Sequence, residues 1–270
     1  MKVNSLNKIK LFLHEFILFG IKQARACVFA GSFFVLLFLS NHIPLFGFHR
    51  YDFLFVAAVL IQIILVLTKI ETKDEAKTIF LFHIIGLCLE LYKTHPAVGS
   101  WSYPEPGFFK ISTVPLYSGF MYAAVGSYIS QAWRIFTVEL KHFPAYKFTI
   151  PLCALIYINF FTDNFFFDFR WILLELVIVL FFKTQVEFIV VNKTRQMPLV
   201  LSFLLIAFFI WIAENISTYL GAWKYPDQIH QWNVVSFDKI SSWTLLVIIS
   251  FILVADLKQL KKQKTHFITK

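Results

Sequence analysis

The stretch Glu90-Leu91-Tyr92-Lys93-Thr94-His95-Pro96-Ala97-Val98-Gly99-Ser100-Trp101-Ser102-Tyr103-Pro104 returns, slightly shortened, as Glu214-Asn215-Ile216-Ser217-Thr218-Tyr219-Leu220-Gly221-Ala222-Trp223-Lys224-Tyr225-Pro226. Both copies obey Glu-x3-Thr and then Gly-x-Trp-x-Tyr-Pro, with two extra residues in the first. Six identities at near-constant spacing, two tryptophans' worth of rare residue among them, read as an internal duplication. A weaker match lies upstream, where Tyr51-Asp52-Phe53 and Phe167-Asp168-Phe169 precede the glutamates, with Asp-to-Glu separations of 38 and 46. The predicted repeats are residues 1–146 and 147–270.

The residues around the duplication set its environment. Of 270 residues, 58% are apolar and 15% charged, well outside the balance of a soluble domain. Apolar runs fall at about 26–46, 51–68, 78–92, 115–133, 147–162, 171–189, 197–216 and 240–257. Eight spans of roughly 20 residues would take about 160 positions, about 59% of the chain, close to that apolar share. The expected fold is therefore all-α: a polytopic membrane protein of eight transmembrane helices, arranged as two four-helix repeats.

Charge gives the orientation. The net charge is +9, and its cations lie between apolar runs rather than in one patch, which excludes a nucleic-acid partner. Counted over alternate connections and both termini, 18 Lys and Arg fall on one side and six, Arg50, Lys93, Lys110, Arg170, Lys224 and Lys239, on the other. Positive-inside bias puts both termini in the cytoplasm. The cytoplasmic set includes Lys2 and the tail residues Lys258, Lys261, Lys262, Lys264 and Lys270. Four spans per repeat give the halves the same orientation, a parallel repeat about an axis along the membrane normal. Lys183, inside the sixth apolar run, is expected to snorkel to the cytoplasmic interface.

Ahead of the first span, Ile9, Phe12, Leu13, Phe16, Ile17 and Phe19 share one helical face, with Lys8, His14, Glu15, Lys22 and Arg25 opposite. This predicts an interfacial amphipathic helix lying on membrane lipids. His14 and Glu15 interrupt any signal core and no small-residue cleavage site follows, so cleavage is not expected. Cys27, Cys88 and Cys153 all lie in apolar runs and suggest packing rather than disulfides. The eight histidines show no zinc-binding spacing. No metal and no cofactor is expected. Gly119, Ala123, Gly126 and Ser130 recur at three- and four-residue steps, a pattern for close helix packing.

Chemistry is expected at the duplicated motif. Glu90 and Thr94 share a helical face, as do Glu214 and Thr218. Gly and Pro then turn the chain, and Trp101 with Tyr103, like Trp223 with Tyr225, point the same way from an extended segment. Intramembrane acids are costly, which makes Glu90 and Glu214 the candidate catalytic groups, expected to face one another across a central cavity. His83 lies one to two turns deeper on the face of Glu90, without a counterpart at Ala207. Asp52 and Asp168 are candidates of lower standing, because Arg50 and Arg170 are near enough for structural ion pairs.

The residues Thr94 to Pro106, the following Pro115-Leu116-Tyr117-Ser118-Gly119-Phe120-Met121-Tyr122-Ala123-Ala124-Val125-Gly126-Ser127-Tyr128 and the segment Gly221 to Pro226 resemble the YoaT-like family of bacterial integral membrane proteins, a domain-of-unknown-function family. The resemblance covers nearly the whole chain and implies a bacterial cytoplasmic (inner) membrane setting, with no activity attached. A looser likeness, confined to the surroundings of Glu90 and Glu214, is to membrane carotenoid-modifying enzymes such as lycopene cyclases and carotenoid hydratases. It implies an acid that protonates a polyene and aromatic faces that stabilise the resulting cation.

Two function classes follow. In the first, a membrane enzyme acts on a lipophilic, isoprenoid-like small molecule, with Glu90 or Glu214 as general acid and Trp101, Tyr103, Trp223 and Tyr225 lining the site. In the second, a secondary transporter or solute-binding permease holds a proton or cation on the same glutamates. A structural or assembly role is the third alternative. The sequence leaves the oligomeric state open.

Overall fold

Every expected apolar run contains a helix, though several helices stop short of their run. The computed structural model describes residues 2–268, with side chains for residues 7–255. The side chains of Lys2, Lys258, Lys261, Lys262 and Lys264, and all of Lys270, lie outside the described residues. Among the described residues the helices are α1 (Lys2–Ala26), α2 (Val28–Leu39), α3 (Arg50–Leu67), α4 (Lys73–Lys93), α5 (Ser118–Ile135), α6 (Tyr146–Thr162), α7 (Arg170–Phe181), α8 (Leu199–Tyr219) and α9 (Lys239–Ile268). The chain is thus mostly helical.

Two helices, α3 and α8, are long and apolar enough to cross a bilayer. The pair α1 and α2, bent by 68° around Cys27, passes the same test taken together. The remaining helices are shorter or carry charge at an end. Each of α2 and α7 has 12 residues, about 18 Å of helix against a hydrocarbon core of roughly 30 Å. The first apolar run loses its helix at Leu39, ahead of Pro44 and of Gly47 at φ +89°.

The sixth run departs most from expectation. Its helix ends at Phe181, and Gln185–Ile189 forms strand β4 of a three-stranded antiparallel sheet between β3 (Glu139–Lys141) and β5 (Thr194–Pro198). Lys183 therefore sits, exposed, in the turn between helix and sheet rather than inside a helix. The physical reason is local: Thr184, Val186 and Ile189 are β-branched, Gln185–Ile189 pair with β5, and 185–187 pair with β3 as well. A two-residue hairpin, β1 (Lys110–Ile111) with β2 (Val114–Pro115), precedes α5.

α1 packs by its polar face. Arg195 on β5 holds Glu15 at 2.8 and 2.5 Å, and the Lys22 ammonium donates to the Ile189 carbonyl at 3.1 Å. Ile9, Phe12, Leu13, Phe16 and Ile17 are left exposed. Phe19 is the exception, because its ring lies 5.4 Å from that of Phe136 and 6.1 Å from that of Phe188.

Helices α4 and α5 form the closest pair, and glycine makes it so. α4 starts with a capping box: the Thr72 hydroxyl accepts from the Glu75 amide while the Glu75 carboxylate accepts from the Thr72 amide. Along the seam, Gly86 lies under the Tyr122 ring, Gly126 under Phe82 and Gly119 under His83. The three cysteines are free thiols.

Candidate functional site

The two Gly-x-Trp-x-Tyr-Pro turns meet. The Ser102 amide donates to the Lys224 carbonyl at 2.9 Å and the Lys224 amide to the Ser102 carbonyl at 3.0 Å, an isolated antiparallel pairing of the residues that separate Trp from Tyr in each motif. Both turns use their glycine in the left-handed region, Gly99 at φ +60° and Gly221 at φ +73°, which no other residue adopts as cheaply. Arg50 fixes the second turn: its guanidinium donates to the carbonyls of Leu220 and Gly221 at 2.6 and 3.0 Å and pairs with Glu105 at 2.7 Å. A cation at the carbonyl end of α8 also suits the helix dipole.

Each motif closes onto its own glutamate. Oε2 of Glu90 accepts from the Trp101 indole and the Tyr103 hydroxyl, both at 2.8 Å, and Oε1 accepts from Tyr122 of α5 at 2.9 Å. Oε1 of Glu214 accepts from Tyr225 at 2.5 Å and Oε2 from the Trp243 indole of α9 at 2.8 Å. The glutamates are 2% and 3% exposed, so these neutral donors stand where water would otherwise solvate the carboxyl groups. In the turns, burial first and the neighbouring glutamate second push the phenols of Tyr103 and Tyr225 well above their ordinary range. Both phenols therefore keep their protons and act as donors.

Glu90 and Glu214 line one cavity of about 230 Å³. It lies where α4, α6 and α8 end and α5, α7 and α9 begin, at a single end of the helix bundle. Trp101, Tyr122, Trp223, Tyr225 and Trp243 supply aromatic walls, while Lys93, Asp163, Asn164, Arg170 and Lys239 supply charge and polarity. Lys93 is bound to Asp163 at 2.6 Å and Arg170 to Asp168 at 2.8 Å. The Lys239 ammonium lies 4.5 Å from the Tyr225 ring centre and 5.8 Å from that of Trp101.

The structure sorts the remaining candidates. Tyr103 contacts Glu90 without lining the cavity, whereas Trp101, Trp223 and Tyr225 do line it. Thr94 donates back to the Glu90 carbonyl and meets the Thr113 hydroxyl, and Thr218 accepts from the Trp232 indole; neither lines the cavity. His83 is buried in the α4–α5 seam, its ring 4.4 Å from Phe120 and its Nδ1 without a hydrogen-bond partner, away from the cavity wall.

The two aspartates lie outside the cavity lining and are held by different means. Asp52 makes no pair with Arg50, whose guanidinium is taken by Glu105 and α8; its carboxylate instead accepts from the amides of Phe108 and Phe109 at 2.8 and 2.7 Å. Asp168 does pair with Arg170, and also accepts from the Asn159 amide at 3.0 Å. Burial alone would raise the Asp168 carboxyl, yet the Asn159 and Arg170 hydrogen bonds and the Arg170 charge hold it below its usual range.

Tyr122, Trp243, Lys239, Lys93 and Asp163 were not found as site residues from sequence. Tyr122 and Trp243 sit on the helix that follows each motif, and no motif marks them. A signal did exist in the spacing, since Tyr122 lies 32 residues after Glu90 and Trp243 lies 29 after Glu214.

The chain's relationships now bear on this site. A relative, the "Uncharacterized protein YoaT" of Bacillus subtilis (strain 168), is 53% identical over 255 residues, covering 94% of each chain. No solved structure matches the chain. Residues 15–251 match the family model described as "Protein of unknown function (DUF817)". With most of its length inside that model and a relative at 53% identity, the chain belongs to the DUF817 family, the bacterial family that its paired motifs resemble.

Proposed function

We propose that this protein is a solute-binding permease of the bacterial cytoplasmic membrane, in which eight spans cross the bilayer, α2 and α7 completed by their flanking residues, and Glu90 and Glu214 line the site of a small solute. The observation that carries the reading is the shared cavity: two buried acids, one from each motif, open onto one space at one end of the bundle. The 18-to-6 distribution of basic residues supports that end as the outer one. Antiparallel pairing of equivalent residues, Ser102 with Lys224, is what a two-fold axis along the membrane normal would produce, and so supports two four-helix repeats.

Size and lining favour a solute over a long lipophilic substrate. The cavity, about 230 Å³, is smaller than the roughly 300–1,000 Å³ of pockets that enclose drug-sized ligands. Its lining includes Lys93, Asp163, Arg170 and Lys239, which suits a polar solute better than a hydrocarbon one. An isoprenoid enzyme is correspondingly less well supported.

The test compares a deletion strain complemented with wild type, Glu90→Gln or Glu214→Gln. Mass spectrometry of spent medium and of lipid extracts is expected to show one or more small solutes changed in the medium of the deletion and both variant strains. A changed lipid or pigment beside an unchanged medium would restore the enzyme reading.

A further inference from the structure

The cavity contains three cations, and two of them are already neutralised. Lys93 is bound to Asp163 and Arg170 to Asp168. Lys239 differs: among the described residues it forms no ion pair, and its ammonium rests on the ring faces of Tyr225 and Trp101. Contact with a ring face leaves the N–H groups on the far side of the ammonium without an acceptor. The glutamates are in the opposite condition, since Glu90 accepts three hydrogen bonds and Glu214 two from the protein's own donors. The ammonium of Lys239 is therefore the cation in this cavity with N–H groups still to donate, with the hydroxyls of Ser100 and Ser242 also on the wall.

Resting on the permease reading, we propose that the solute is a small organic monoanion whose carboxylate is bound by Lys239, with its apolar body against the aromatic wall. A charge-assisted hydrogen bond from an ammonium to a carboxylate is among the stronger polar contacts a protein makes. A cationic solute would meet Lys239 in the aromatic position that a cation prefers. A neutral one would offer the free N–H groups of Lys239 only an uncharged acceptor, which makes the weaker hydrogen bond.

Full-length protein purified in detergent is titrated with benzoate, benzamide and benzylamine, which share a ring and differ in charge, with the thermal midpoint read from tryptophan fluorescence. Benzoate is expected to raise the midpoint with concentration, as any ligand of the folded state does, and the other two are not. Lys239→Gln is expected to weaken the benzoate response by about tenfold, the worth of one charge-assisted hydrogen bond. Lys239→Arg should retain most of it, which separates loss of the cation from loss of folding. A response to benzylamine or benzamide equal to that for benzoate overturns the monoanion assignment while leaving a solute cavity in place. So does a Lys239→Gln protein that responds like wild type. If none of the three compounds shifts the midpoint, the solute-binding reading falls with it.

Discussion

At the residue scale, the site is two carboxyl groups solvated by aromatic donors instead of by water or cations. Glu90 depends on this most, because its three donors come from two turn residues and one helix residue. Tyr122→Phe removes the donor on Oε1 without altering the ring's packing. A buried acceptor left without its partner costs about 1–3 kcal/mol, so the variant's thermal midpoint in detergent should fall by several degrees; an unchanged midpoint would mean that Tyr122 does not hold Glu90. Asp168 gives the pH prediction. Its folded carboxyl lies below the ordinary value of 3.8, so its stabilising contribution is complete above that value and is lost as pH falls through the lower folded one. Asp168→Asn should therefore be less stable than wild type at pH near 7 and lose less on acidification. Parallel acid-unfolding curves for the two proteins would remove Asp168 from the account.

At the element scale, the close approach of α4 and α5 positions Tyr122 on Glu90, and Gly86 permits that approach. A β-carbon at Gly86 would lie 2.5 Å from Cδ2 of Tyr122, so the helices must part or the ring must swing off the carboxylate. Gly86→Ala is expected to lower stability by about 1–3 kcal/mol through overpacking and to disturb Glu90 as Tyr122→Phe does. Equal stability of Gly86→Ala and wild type would contradict this packing. The stretch Gly119-x3-Ala123-x2-Gly126 announced such a seam, because small residues at helical spacing are legible one helix at a time. The partner of that seam was not legible, since nothing in α4 states which helix Gly86 faces. The sixth run shows another limit: Trp171 to Phe182 is apolar but for Glu175, while Gln185-Val186-Glu187-Phe188 alternates polar and apolar as a strand does, a change of period that average hydropathy over the run conceals.

At the scale of the whole molecule, the paired motifs carry most of what the sequence disclosed. Glu90, Trp101, Trp223, Tyr225 and Glu214 were found because each sits at a fixed offset inside a repeated string, and all five line the cavity. Lys239, Trp243 and Arg170 reach the same space from other helices and Asp163 from the turn after α6, where tertiary packing and not spacing brings them in. Placing both glutamates in one cavity therefore depends on the two turns meeting, which makes the turn pairing the central claim. Ser102 and Lys224 exchange two backbone hydrogen bonds, a pairing that sets Cα atoms about 5.5 Å apart, within the roughly 4.4–6.8 Å range that a disulfide spans. The direct measurement is oxidation of the Ser102→Cys, Lys224→Cys double variant in membranes, with Cys27, Cys88 and Cys153 changed to Ser and a protease site placed between the halves. The account predicts that the two fragments stay linked until reduced, while neither single variant links them. Fragments that separate without reductant would show that the turns do not meet and that Glu90 and Glu214 do not share a cavity.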